Sequence, residues 1–190
     1  MNLRFGPSSD ARSIAVVHFA SIRESYRGLF PSSALGKIDI DDRAERWRQL
    51  LTNAATATYV AESNGQILGF VNYGRCRDED VADVRVGEIM SLYVAPDSWG
   101  NGLGRMLLGA ALGQLAATRL CESKLWVLGR NARAVAFYEQ AGFVRDGTIK
   151  HRDMFGVPAI VVWYGIRLDK IQRDSPKEQG EQSAGQSPAG

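Results

Sequence analysis

Val94-Ala95-Pro96-Asp97-Ser98-Trp99-Gly100-Asn101-Gly102-Leu103-Gly104-Arg105 sets three alternating glycines between a run of strand formers and a run with helical spacing. It reads as a strand end, a proline turn and a helix start. Glycine has no Cβ, so the backbone N–H groups of such a turn can be approached closely, and the helix dipole adds potential favourable to negative charge. A pyrophosphate is the guest that suits this turn, although a connection that only packs a helix close to a sheet would use the same glycines. Two other phosphate-binding patterns fit less well. A P-loop needs GK[ST], and Gly104-Arg105-Met106 does not supply it. A dinucleotide-binding turn needs GxGxxG and an acidic residue at the end of the next strand. Here the spacing is GxGxG, and Glu122 precedes the next strand instead of ending it.

Upstream of the turn, Leu3 to Phe5 reads as a short strand, and Ser9 or Asp10 as the cap of a helix whose Ile14, His18, Ile22 and Tyr26 fall four apart on one inward face. A second helix is expected from about Asp41 through Leu51, followed by strands at Thr58 to Glu62 and Ile67 to Tyr73 around Asn64-Gly65, a tight-hairpin dipeptide. Arg75 to Val84 lacks periodicity and reads as a loop before the strand Val86 to Val94. Downstream, Leu108, Leu112 and Leu115 mark a helix over Gly102 to Thr118, then come a strand at Lys124 to Leu128 and a helix from Ala132 to Ala141 ended by Gly142. Strands around Val144 to Lys150 and Ala159 to Leu168 close the pattern. This order predicts a single α/β domain over residues 2–168 and, from its composition, a disordered tail over 169–190.

Composition narrows the function. The 190 residues are 45% hydrophobic and carry a formal charge of +2 from 23 basic and 21 acidic side chains spread along the chain, so neither a nucleic-acid nor another polyanionic partner is expected. Cys76 and Cys121 form no metal-binding or disulfide pattern, and with two histidines and no HExxH no metal is expected. No stretch approaches the roughly 20 apolar residues of a membrane span, and Met1 to Asp10 does not read as a signal peptide. A cytoplasmic protein without a membrane partner is the expectation.

At the glycine turn the sequence resembles the GNAT acetyltransferases, whose acetyl-CoA motif reads [QR]xxGxG; Gly102 and Gly104 match, and Trp99 stands where Gln or Arg is usual. Asn131-Ala132-Arg133-Ala134-Val135-Ala136-Phe137-Tyr138-Glu139-Gln140-Ala141-Gly142-Phe143 resembles the family's NxxAxxFYExxGF segment. The resemblance implies a mixed central sheet splayed between its fourth and fifth strands and flanked by helices, with acetyl-CoA as cosubstrate in the splay. It assigns CoA contacts to Leu92, Tyr93 and Val94, to Trp99, Gly100, Asn101, Gly102, Leu103, Gly104 and Arg105, and to Asn131, Ala134, Phe137 and Tyr138. An amide-rich pantetheine arm could pair with Leu92 to Val94 as an added strand would, unless protein covers that edge.

Acyl transfer needs a neutral nucleophile, stabilisation of the oxyanion and a proton for the thiolate. Tyr138 matches the family's tyrosine near the CoA sulfur and is the candidate acid, with ring packing as the alternative. Asn131 could touch CoA, cap the following helix, or both. Glu88 resembles the catalytic glutamate of histone-type GNAT enzymes and is the candidate base; a carboxylate in an apolar strand could equally hold an ion pair. His18 reads as a core imidazole, and His151 is undetermined.

The acceptor pocket is implied between the loop Tyr26 to Asp39 and the hairpin around His151 to Pro158, where Arg23, Arg27, Arg152 and Asp153 could meet a charged acceptor or simply be solvated. The function implied is transfer of an acetyl group from acetyl-CoA to a primary amine of a small molecule, peptide or protein. A non-catalytic acyl-CoA-binding protein, and an acyltransferase for a hydroxyl or a longer acyl chain, remain open, as does a homodimer.

Overall fold

The computed structural model describes residues 1–81, 83 and 85–169; beyond Asp169, the expected tail lies outside the described residues. The elements are β1 (Asn2–Phe5), α1 (Ala11–Ser25), α2 (Ser32–Leu35), α3 (Ile40–Leu51), β2 (Thr56–Ser63), β3 (Gln66–Arg75), β4 (Val86–Val94), α4 (Leu103–Ala117), β5 (Glu122–Leu128), α5 (Ala132–Gln140), β6 (Val144–Met154) and β7 (Val157–Arg167). The strands form one mixed sheet in the order β1-β2-β3-β4-β5-β7-β6, in which β4 and β5 are the parallel pair. No helix of the described residues is long and apolar enough to cross a membrane.

Period-two alternation sends successive strand residues to opposite faces. Val60 and Phe70 pack with Ile14, Ala15 and Trp47 of α1 and α3 on one face. Ala61 and Val71 turn to the other, where Leu107, Ala111 and Leu115 of α4 meet Leu125 and Val127 of β5, with α5 packed alongside. Two-residue turns join β2 to β3 and β6 to β7. Asn64 and Gly65 take φ of 51° and 74°, as the Asn-Gly signal predicts. Phe155 and Gly156 take 60° and 77°, so the last strands extend to a tight turn and the expected loop over 151–158 shrinks to two residues.

The helix starts differ in detail from expectation. Asp39 caps α3, accepting from the backbone N–H groups of Asp41 at 2.7 Å and Asp42 at 2.9 Å. Asp10 makes no cap; its carboxylate turns to Arg4, at 2.5 and 3.2 Å. The segment expected as a loop between α1 and α3 contains α2, which buries Ala34 and Leu35.

One irregularity shapes the site. Asn72 pairs with Ser91 but Tyr73 pairs with Ile89, so Met90 is an extra residue in β4, a β-bulge. Its consequence is a phase shift: Ile89 packs in the α4 cluster, and so do Leu92 and Val94, three and five residues on. Strict alternation would have sent Leu92 and Val94 to the α1 side.

Candidate active site

β4 and β5 hydrogen-bond over only three residue pairs, Val86 with Glu122, Gly87 with Ser123 and Glu88 with Lys124. Past Glu88 they diverge, β4 staying with β3 and β5 with β7. The edge of β4 beyond Glu88 therefore has no strand partner on the β5 side among the described residues. Into this splay opens a cleft of about 560 Å³, bounded by β4, the glycine turn with the start of α4, β5 and α5.

Nearly all the predicted cofactor contacts line it: Leu92, Tyr93 and Val94; Trp99, Gly100, Gly102, Leu103, Gly104 and Arg105; Asn131, Ala134, Phe137 and Tyr138. Asn101 is exposed and is not part of the lining. The glycines have different reasons to be glycine. Gly100 and Gly102 take φ of 83° and 77°, left-handed values that a side chain strains, and apart from the adjoining backbone nothing among the described residues lies within 4 Å of where their Cβ would be. Gly104 has no positive φ; a Cβ there would meet the Phe137 ring at 3.3 Å, so its bareness lets α5 lie against α4.

Trp99 fills the place of the family's usual polar residue. Its Nε1 donates to the Val94 carbonyl at 2.7 Å, and Ser21 Oγ donates to the same oxygen at 2.7 Å, which fixes the end of β4 to both the turn and α1. The Arg133 guanidinium carbon stands 3.5 Å from the centre of the Trp99 ring. Asn131 Oδ1 accepts from the backbone N–H of Ala134 at 3.1 Å, capping α5 from within the cleft wall.

Tyr138, half-buried on α5, packs edge-on against Phe137 and Phe143 and lines the cleft together with Tyr26 and Tyr93. Burial, and then the neighbouring Tyr26 phenol, push its pKa up, so its hydroxyl is protonated throughout the physiological range. Burial likewise raises Tyr26 and Tyr93. The helical spacing marked Tyr26 as inward-facing; that its ring joins the cleft wall depends on where α1 docks.

Glu88 is buried and holds an ion pair with Arg77. The Arg77 backbone N–H and Nε each donate to one carboxylate oxygen at 3.2 Å, and Nη2 donates to the other at 3.1 Å. It lines a second hollow of about 400 Å³, shared with Asp78, Lys150 and Arg152; Trp126 lines both hollows. Asp78 accepts from Lys150 Nζ at 2.6 Å and Trp126 Nε1 at 3.1 Å. Burial alone would raise its pKa; these bonds and the Asp80 N–H outweigh that and lower it. His151, in β6, is exposed.

His18 is a core group. Its Nδ1 accepts from Trp47 Nε1 at 3.1 Å, and its ring lies against Phe70 and Tyr93. Burial, helped by the Arg43 charge, depresses its pKa to about 3. Beside the cleft, the turn of the β6–β7 hairpin is fastened to the segment after α1: Phe155 meets Phe30 edge-on at 5.6 Å and Tyr26 at 6.1 Å. Arg27 pairs with Glu24, Arg23 lies over the Phe19 ring, and Asp153 accepts from the Gly156 N–H.

The parallel pair thus splays after three residue pairs, with a glycine turn and a tyrosine-bearing helix facing its free edge. The model of the acetyltransferase (GNAT) family matches residues 19–143, and the chain belongs to that family; it is an acyl-CoA-dependent N-acyltransferase. It is 29% identical over 169 residues to a Mycobacterium tuberculosis protein named as a probable N-acetyltransferase, covering 87% of this chain and 93% of the relative. A mycothiol acetyltransferase of Streptomyces coelicolor is 34% identical over 116 residues, 60% of this chain, and the match spans only 34% of that longer protein. The fold is shared with the PaiA N-acetyltransferase of Thermoplasma acidophilum solved in complex with coenzyme A, at a TM-score of 0.65 and 18% identity over 85% of this chain and 98% of that one.

Proposed function

We propose that the protein transfers the acetyl group of acetyl-CoA to a primary amine by direct attack in a ternary complex. The observation that carries this reading is the edge of β4 left without a strand partner, its Val94 carbonyl held by Trp99 and Ser21, opening on a cleft that ends at the Gly100 to Gly104 turn and is lined by Tyr138. The pantetheine amides pair with the β4 edge and the pyrophosphate lies at the turn. This puts the thioester near Tyr138. The amine nitrogen attacks the thioester carbonyl carbon, the oxyanion takes hydrogen bonds from free β4 N–H groups, and the C–S bond breaks. Tyr138 gives its phenolic proton to the departing thiolate and regains one from solvent. The proton lost by the amine passes to Glu88 through water, because the second hollow adjoins the cleft at Trp126.

The acceptor approaches the thioester along the wall that the segment after α1 and the β6–β7 turn form together. Residues 2–168 form the catalytic domain, and a cytoplasmic location suits an acetyl-CoA-dependent reaction. The test is acceptor-dependent CoA release from acetyl-CoA, measured with small amines, amino acids, peptides and the acceptor of the mycothiol acetyltransferases. Release with at least one amine supports the reading. CoA binding with no release across the panel, or release with hydroxyl acceptors alone, counts against it.

A further inference from the structure

The stack of Arg133 on Trp99 has a chemical meaning that the glycine turn alone does not supply. The indole is oriented by its hydrogen bond to the Val94 carbonyl. Arg133 lies over its ring face at 3.5 Å, and both side chains line the cleft beside Gly100 and Gly102. Stacking occupies the flat face of a guanidinium and leaves its in-plane N–H groups pointing outward, the geometry that grips phosphate oxygens in pairs. Among the described residues no carboxylate lies within ion-pair distance of Arg133. A cation in the first turn of a helix opposes the dipole, so an anion at this point offsets that cost.

We infer that Arg133, held on the Trp99 platform, is a phosphate-binding residue of the donor site, supplying the polar group that Trp99, standing where Gln or Arg is usual, does not. This rests on the cleft being the CoA site. Its place beside the turn points to the pyrophosphate; the 3′-phosphate of CoA offers the same chemistry.

The experiment is calorimetric titration of the wild-type protein and of R133A, R133K and W99L with CoA, dephospho-CoA and pantetheine, with melting temperatures as a check on folding. R133A is expected to weaken CoA and dephospho-CoA about 10- to 100-fold, as for a lost charged hydrogen-bonding pair, and to leave pantetheine unchanged. R133K should fall between, since lysine keeps the charge but not the fork. W99L should cost CoA affinity, and the R133A/W99L double variant should lose less than the sum of the two because they act as a unit. A loss with CoA but not with dephospho-CoA supports the inference with the 3′-phosphate as the partner. Equal weakening of all three ligands, or unchanged CoA affinity in folded R133A, overturns it. If the wild-type protein binds none of the three, the CoA reading of the cleft fails and the assignment falls with it.

Discussion

Tyr138 and Glu88 are both polar groups in apolar surroundings, and the structure treats them differently. Tyr138 sits among aromatic rings facing the cleft with its proton firmly held. Tyr138→Phe keeps the ring and its packing, so kcat should fall by roughly 10²- to 10⁴-fold while CoA affinity barely changes; steady-state rates together with CoA titration check this. Wild-type turnover in the folded variant removes the acid role. Glu88 carries an ion pair whose arginine is 59% exposed at its side chain, so Arg77 can rehydrate when the carboxylate charge is removed and the stability cost stays small. Glu88→Gln should therefore act mainly on rate. The loss should be largest where the acceptor is an ammonium and should shrink as pH rises and free amine appears unaided. A pH–rate profile of both proteins tests it, and a loss constant with pH would assign Glu88 to acceptor positioning instead.

At the scale of elements, the glycine turn and the β4 bulge together make the cleft. Gly102 precedes α4 in a left-handed conformation with open space where a side chain would go, so Gly102→Val has two separable effects. The backbone strain of about 1–2 kcal/mol lowers the melting temperature by a few degrees. If the turn holds phosphate, as proposed, the branched side chain projects into its space, and the CoA-dependent stabilisation expected of the wild-type protein should be lost. Thermal melts with and without millimolar CoA measure both, and an undiminished CoA shift in the folded variant would free the turn of its phosphate role. Gly104→Val does not make so clean a test, because its side chain strikes Phe137 before it could meet a ligand. The bulge at Met90 works through register: by advancing the phase of β4 it turns Leu92 and Val94 to the face that α4 and α5 cover, the side on which the cleft opens.

For the molecule as a whole, the two helical layers differ in how they are held. The α4 side is largely aliphatic, with Tyr73, Phe143 and Tyr164 among its buried residues, whereas the α1–α3 side contains His18 bonded to Trp47 and packed against Phe70 and Tyr93. With a folded pKa near 3 against an unfolded value near 6.5, His18 is neutral in the fold while the unfolded chain takes up a proton below about pH 6.5. The unfolded state then binds more protons, so stability present above pH 6.5 is lost as pH falls toward 3, with a slope of at most about 1.4 kcal/mol per unit from this group. His18→Gln keeps an acceptor for the Trp47 N–H and removes the titration. Its denaturation midpoint should be lower at neutral pH, by the cost of repacking, yet should decline less steeply between pH 6.5 and 4. Parallel slopes for the two proteins would mean that His18 does not drive acid unfolding.

Much of this molecule is local in origin and therefore legible in its residues. The longer helices follow from apolar residues three and four apart, the first hairpin from Asn64-Gly65, and the glycine turn from Gly100 and Gly102, the two of its three that require positive φ. Asn131 and Tyr138 could be named because the segment around them has a spacing that the family shares. The remainder depends on partners far apart in the chain, and no short-range pattern encodes it. The tight turn that replaced the expected 151–158 loop uses Phe155 at positive φ, a position its own preference opposes and its contacts with Phe30 and Tyr26 support. The extra residue in β4 exists only relative to its neighbour β3, the pairing of Glu88 with Arg77 brings the segment just after β3 against β4, and the stack of Arg133 on Trp99 forms only when α5 settles against the turn. Sequence by itself determined the elements and the chemistry they could carry, since backbone preference and side-chain spacing act within a few residues. Which of those groups face one another, and across which cleft, was decided by the tertiary structure, because burial and pairing between distant segments are satisfied only once the sheet has assembled.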